Sequence, residues 1–178
     1  PLVSLFFFAH QPDRLTPYER RRDLIYQHDR PLFQRLFDEP LNAEVFGKVA
    51  DKCYRPATQM LLDLVRQHAS DEKPFKVAFG ISGTLIDQME RFGPDVLDLF
   101  KGLASTGLVE FVGETYYHSL ASLFDAQRVE FREQAMMHAR RLESTFGVRP
   151  TFFRNTECLF NSSIAAAVKD MGFEGVMT

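Results

Sequence analysis

The chain has 178 residues, 45% hydrophobic and 25% charged, a balance that supports one globular domain with a buried core and argues against disorder. Its formal net charge is −3 and no block of Lys and Arg forms a stripe, which excludes the basic footprint of a nucleic-acid binder. Arg20, Arg21 and Arg22 stand among Tyr18, Glu19 and Asp23 and read as a solvated face.

Leu2 to Ala9 (LVSLFFFA) is the longest apolar run. It has strand length, suits a strand buried in a parallel sheet, and is far short of a membrane span. It also lacks the basic flank and cleavage site of a signal peptide. The only two cysteines, Cys53 and Cys158, lack metal-ligand spacing and read as free thiols, so a cytoplasmic protein without membrane contact is expected. From His10 to about Pro40 the chain is polar and punctuated by Pro12, Pro17, Pro31 and Pro40, which predicts a long loop with short helical pieces.

Asn42 is placed to cap a helix with Val45, Phe46, Val49, Ala50 and Cys53 on one face. Pro56 interrupts it and opens a second helix carrying Met60, Leu61, Leu64, Val65 and His68. Phe75 to Ser82 (FKVAFGIS) reads as the second strand, followed by helices over Leu85 to Phe92 and Pro94 to Ala104, the latter ending at Thr106-Gly107. Val109 to Val112 is the third strand. A long amphipathic helix from about Ala126 to Phe146 turns Val129, Met136, Ala139, Leu142 and Phe146 inward and Arg128, Glu133, Arg140 and Arg141 outward, and Gly147 closes it. Thr151 to Phe153 begins the fourth strand, Ser163 to Met171 is helical with Gly172 as terminator, and Gly175 to Thr178 starts a fifth strand.

This alternation predicts an α/β fold with a parallel sheet, a pattern that open sheets and closed barrels share. Beginning without methionine and stopping inside a strand, the chain is expected to be part of a longer protein.

In parallel α/β folds the site lies beyond the carboxyl ends of the strands. Those positions hold His10-Gln11-Pro12, then Ser82-Gly83-Thr84, then Glu114 with Tyr116, Tyr117 and His118, and finally Arg154-Asn155-Thr156-Glu157. Two carboxylates with histidine, asparagine and tyrosine on one rim suit glycoside cleavage, because carboxylates do the acid, base and nucleophile chemistry while the others bind hydroxyls and stack on sugar rings. The five histidines, His10, His28, His68, His118 and His138, are dispersed without HxH or HxxxH spacing, and no phosphate-binding glycine loop occurs. Zinc coordination and nucleotide binding are therefore not supported by these residues. Ser82 in GISGT lacks the glycine spacing of a nucleophile elbow and reads as a tight turn.

Several of these segments resemble the motifs of glycoside hydrolase family 57, the α-amylase and 4-α-glucanotransferase family. AHQPDRL (Ala9 to Leu15) is similar to its first region, VEFVGETYYHSLASLFD to its second and PTFFRNTECLFN to its third; CYRPATQMLLDL and FGISGTLIDQMERFGPDVLDLF resemble the amylase-type branch. The resemblance implies an incomplete (β/α)7 TIM-like barrel, of which residues 1–178 supply about the first five β/α units. It implies Glu157 as the catalytic nucleophile and His10, Gln11, Glu114, Tyr116, Tyr117, His118, Arg154 and Asn155 as substrate-binding residues, with no metal. The partner it implies is an α-glucan polysaccharide or maltooligosaccharide, cleaved or transferred with retention. The family's acid/base aspartate comes from a later region than this chain contains, and Cys158 stands where a larger apolar residue is expected.

A glucan-binding pseudo-enzyme and a metal-dependent polysaccharide deacetylase on a similar barrel remain as other readings, the second disfavoured by ligand spacing. Hydrolysis against transfer, chain-length preference and oligomeric state are not legible in the sequence.

Overall fold

The computed structural model describes residues 3–24, 26, 29, 31–124 and 127–178. Within them five strands, β1 (Phe6–Ala9), β2 (Val77–Ile81), β3 (Val109–Val112), β4 (Phe152–Arg154) and β5 (Gly175–Met177), pair in parallel as β1-β2-β3 and β4-β5. An isolated parallel bridge between Gly113 and Phe153 joins the two groups. The Gly113 N–H donates to the Phe152 carbonyl and the Arg154 N–H to the Gly113 carbonyl, each at 2.8 Å. The strands thus succeed one another in chain order, and their carboxyl ends share one rim.

Alternation along the strands sorts the side chains. Phe79 meets Phe100 edge-on at 5.4 Å and Phe111 stacks on Phe146 at 4.8 Å, both toward the helices. Across the pleat, Gly80 leaves room for Phe6 and Phe8, whose rings would lie 3.0 and 2.9 Å from a Cβ there. The Arg154 guanidinium covers both rings, 5.8 Å from Phe6 and 4.6 Å from Phe8.

The connection after β1 carries α1 (Tyr18–Leu24), α2 (Leu32–Leu36), α3 (Glu39–Val49) and α4 (Arg55–Gln67). After β2 come α5 (Gly83–Phe92) and α6 (Pro94–Ser105), after β3 the long α7 (Val129–Phe146), and after β4 the short α8 (Ser162–Asp170). One buried cluster, including Phe46, Leu61, Val65, Leu85, Phe100, Leu103 and Leu142, lies between α3 to α7 and the first three strands. A second, with Phe131, Ala135, Phe153, Ile164, Val168 and Phe173, joins α7, β4 and α8. The terminators Gly107, Gly147 and Gly172 all have left-handed backbones, at φ 68°, 70° and 91°.

The helix before β2 departs from its sequence reading. Asp38, not Asn42, caps α3 by accepting from the Leu41 N–H, and Asn42 is buried inside the helix, where its Oδ1 accepts from the Arg14 N–H at 2.9 Å. Pro56 does not break the helix, because a π turn over Ala50–Tyr54 leads directly into α4, with the Arg55 N–H bonding the Ala50 carbonyl five residues back. The wider turn accommodates the proline's missing N–H and bulky ring. It also rotates the apolar phase, so α4 buries Thr58, Leu61, Leu62 and Val65 while Met60 and Cys53 are exposed. Val129, expected inward, is exposed at the start of α7. The expected boundaries at Leu2 and Ala126 lie outside the described residues, as does His28.

Phe153 lies at the seam, fully buried, with its ring 5.6 Å from Phe131 and 5.2 Å from Phe173. Phe153→Ala is expected to cost about 3–5 kcal/mol, read as a lower urea midpoint at unchanged slope. A loss below about 1 kcal/mol would mean the second core contributes little to the fold.

Candidate active site

The rim beyond the strands is built from four short segments. After β1, His10 places Nδ1 2.7 Å from the Ser82 hydroxyl that follows β2. Ser82 caps α5 by accepting from the Leu85 N–H at 3.3 Å, and its Oγ lies 3.1 Å from Thr84 Oγ1. That cap fixes the serine and, through it, the face His10 presents.

After β3, His118 adopts a left-handed backbone at φ 52°, which swings its ring back over Glu114. Its Nδ1 lies 3.0 Å from Glu114 Oε2 and its Nε2 3.3 Å from Glu157 Oε1. Ionised carboxylates only accept, so both ring nitrogens are satisfied together only when each carries a proton and the ring is an imidazolium. The hydrogen bond to Glu114 leads the causes that raise the His118 pKa above its ordinary value, against the opposing cost of burial; attraction to Glu114 and the bond to Glu157 add to it.

The His10 ring faces this cation at 4.7 Å and Phe8 lies against it at 4.8 Å. Burial first, and the His118 charge second, push the His10 pKa down to about 4, so His10 is neutral at pH 7.

Glu114 is held from behind. His138 on α7 is fully buried, its Nδ1 accepting from the Glu114 N–H at 3.1 Å while its Nε2 donates to the Ile81 carbonyl at 2.7 Å. Only the neutral Nε2–H tautomer can do both, in agreement with burial lowering its pKa. Glu114 itself is buried, with Oε2 on His118 and Oε1 lacking a protein partner.

Glu157 follows β4 in a single 3-10 turn, Thr156–Cys158. Both Glu157 and Cys158 have φ 55°, so three of the four described non-glycine residues with left-handed backbones are at this rim. Such strain persists only where surrounding contacts over-determine it. Those contacts are buried: Asn155 Nδ2 donates to Ser122 Oγ at 2.8 Å and the Leu159 carbonyl at 2.9 Å, and Thr156 Oγ1 meets Thr115 Oγ1 at 2.9 Å. The Glu157 side chain is 71% exposed, whereas that of Glu114 is 2% exposed, so only the first stands free for a ligand.

The structure therefore brings His10, Glu114, His118 and Glu157 together, with Arg154 beside them across Phe8. Gln11 is buried behind His10, its Oε1 accepting from Arg14 at 3.2 Å. Tyr116 turns away from the rim, donating to the Asp87 carboxylate at 2.8 Å and covering Gly83, where a Cβ would lie 2.5 Å from its ring. Tyr117 is exposed and packs edge-on against Tyr116 at 4.9 Å. Asn155 is fully buried beneath the turn.

Two contributors were not singled out from the sequence. Phe8 looked like one more strand residue, and His138 one of five scattered histidines. A histidine amid the inward positions Phe131, Gln134, Ala135, Ala139 and Leu142 was the available signal, since a buried imidazole in an apolar stripe needs two partners. Among the described residues no three His, Cys, Asp or Glu side chains are placed to hold one metal ion, and no helix is long and apolar enough to cross a membrane.

The family model for glycosyl hydrolase family 57 matches residues 4–178, and the chain belongs to this family of glycoside hydrolases. Over 177 residues it is 42% identical to a Methanocaldococcus jannaschii protein with the provisional name alpha-amylase, an alignment covering 99% of this chain and 35% of that protein. The chain thus spans about a third of that relative's length. The 4-alpha-glucanotransferase from Thermococcus litoralis superposes with a TM-score of 0.67 at 18% identity, over 97% of this chain and 21% of that one. A family 4 carbohydrate esterase from Bacillus anthracis gives a TM-score of 0.53 at 16% identity, over 67% of this chain and 51% of that one. At these identities the two structures share the α/β fold of parallel strands and helices.

The two rim histidines make opposite contributions to stability with pH. His10 binds a proton near pH 6.5 when unfolded but only near pH 4 when folded, so stability falls as pH drops through that window. The raised His118 pKa gives a stabilisation that is complete below about pH 6.5 and is lost as pH rises through its folded value. In denaturant titrations from pH 8 to 4, His10→Gln is expected to lose less stability on acidification than the unaltered chain, and His118→Asn to lose more.

Proposed function

We propose that this chain forms the first part of the catalytic barrel of a retaining enzyme acting on α-1,4-glucans, with Glu157 as nucleophile. The observation that carries this reading is the Glu157 carboxylate, solvent-facing on the strand-end rim, with one oxygen bonded to His118 and its backbone held in a strained turn. Membership of family 57 supplies the chemistry such a carboxylate serves.

Residues 1–178 are read as about five β/α units of an incomplete (β/α)7 barrel. The order of parallel strands along the chain supports this, because an open doubly wound sheet reverses its order at the switch point.

In the proposed reaction a Glu157 oxygen bonds to the anomeric carbon as the glycosidic bond breaks, and a second carboxyl group protonates the departing sugar oxygen. Water or an acceptor hydroxyl then cleaves the glycosyl ester, giving net retention. Retaining carboxyl pairs stand about 5–5.5 Å apart, so the acid reaches Glu157 from a segment beyond these residues. Its absence leaves the 178-residue chain nearly inactive by itself. His10, Tyr117 and Arg154 are assigned to sugar contact, His118 to the rim between Glu114 and Glu157 where the sugar lies, and Gln11, Glu114, Tyr116 and Asn155 to the layer that holds them in place. No metal or organic cofactor takes part.

The test uses the whole protein to which the chain belongs, incubated with maltoheptaose and followed by mass spectrometry. Shorter maltooligosaccharides are expected, with turnover falling by on the order of 10³-fold or more in Glu157→Gln. Longer products would identify transfer. No turnover of any α-glucan by the unaltered protein would overturn the proposal in favour of a glucan-binding protein.

A further inference from the structure

Glu114 poses a problem that a sugar-binding role does not solve. Its carboxyl group is buried to within 2% of full enclosure, it approaches the rim only through His118, and a carboxylate in such a place needs a compensating charge. The histidine that compensates it makes its other contact with Glu157. From the buried Glu114 through the imidazole to the exposed Glu157, the three side chains form one line of hydrogen bonds linking the ends of β3 and β4.

We infer that His118 is a positioning residue for Glu157, kept protonated by Glu114, and that this pair sets the upper pH limit of nucleophilic attack. The inference rests on the reading of Glu157 as nucleophile. Glu114 orients the ring through Nδ1, as a buried carboxylate behind a catalytic histidine does in hydrolytic triads, although here the ring supports a carboxylate and abstracts no proton. Nε2–H holds Oε1 and leaves the other Glu157 oxygen free. When His118 loses its proton, the ring can donate to only one of the two carboxylates and Glu157 loses either its donor or its fixed orientation.

The other groups around the ring fit this role. His10, facing it from the end of β1, is neutral and adds no competing cation at pH 7. Arg154 on β4 lies beyond Phe8 and so reaches His118 only across an aromatic ring. His138 on α7, behind Glu114, is committed as an acceptor to the Glu114 N–H and is neutral. The raised His118 pKa has the direction that the geometry requires.

Two measurements test the inference together. Ring ¹⁵N titration of the 178-residue chain is expected to show His118 titrating above its ordinary value of about 6.5, and to show that value falling in Glu114→Gln. In the whole protein, 5-fluoro-α-maltosyl fluoride reports on the nucleophile alone, because fluoride leaves without a general acid. The rate of adduct formation at Glu157 is expected to fall about 10- to 100-fold in His118→Asn, whose asparagine tolerates the left-handed backbone, the scale of one charge-assisted hydrogen bond. In Glu114→Gln the upper pH limb of trapping moves to lower pH, a displacement that a merely structural role would not produce.

An adduct at Glu157 with the rate unchanged in His118→Asn and the pH limb unmoved in Glu114→Gln would overturn the positioning role and leave the nucleophile assignment standing. So would a His118 that titrates at or below about 6.5 in the unaltered chain. A normal titration pattern with no adduct in the unaltered protein would overturn both, and would locate the failure in the assignment of Glu157.

Discussion

Two backbone hydrogen bonds between Gly113 and the Phe152 to Arg154 segment hold the rim together. They join a three-stranded sheet to a two-stranded one, and with it the carboxylate carried after β3 to the carboxylate carried after β4. The approach depends on a missing side chain, since a Cβ on Gly113 would lie 2.8 Å from the Phe173 ring and 3.4 Å from the Phe152 carbonyl. Backbone pairing sets the strand spacing, and the spacing places His118 between two carboxylates.

The charges at the rim are graded by burial. Glu114 is enclosed, His118 nearly so, and Glu157 is open. A buried ion pair is weak evidence for stability, because desolvation offsets most of the attraction. It does fix geometry, since the ring cannot turn without breaking one of two charge-assisted bonds. The neutral His138 extends this order into the protein, tying the Glu114 amide to the last carbonyl of β2. Tyr116 does the same for the loop, through Asp87, which also accepts from Arg141 on α7 at 3.0 Å. The loop that carries His118 is thereby anchored to α5 and α7.

A similar frame of parallel strands and helices occurs in the Bacillus anthracis esterase. What distinguishes a site on a shared fold is the set of side chains at the strand ends. In this chain, two carboxylates bridged by the His118 ring occupy that position.

Much of the architecture was legible in the order of residues. Strand-length apolar runs placed β1 to β5, and a glycine after a periodic segment marked the ends of α6, α7 and α8, because both signals are local and follow from backbone sterics and alternation. The four rim segments were legible too, since in a parallel fold the carboxyl end of every strand faces the same way. The grouping of side chains within those segments was not. Tyr116 and Tyr117 are neighbours in sequence, yet one is buried against Gly83 and the other exposed; the π turn before Pro56 shifted the buried face of α4; and Asn42, a plausible cap, became a buried acceptor. Each outcome depends on what lies across the fold and not along the chain. The sequence by itself determined which segments reach the rim. Only the tertiary structure decided that Glu114 meets Glu157 through His118, because that contact requires the Gly113 seam, the left-handed turn at His118 and the neutral histidine behind it to form together.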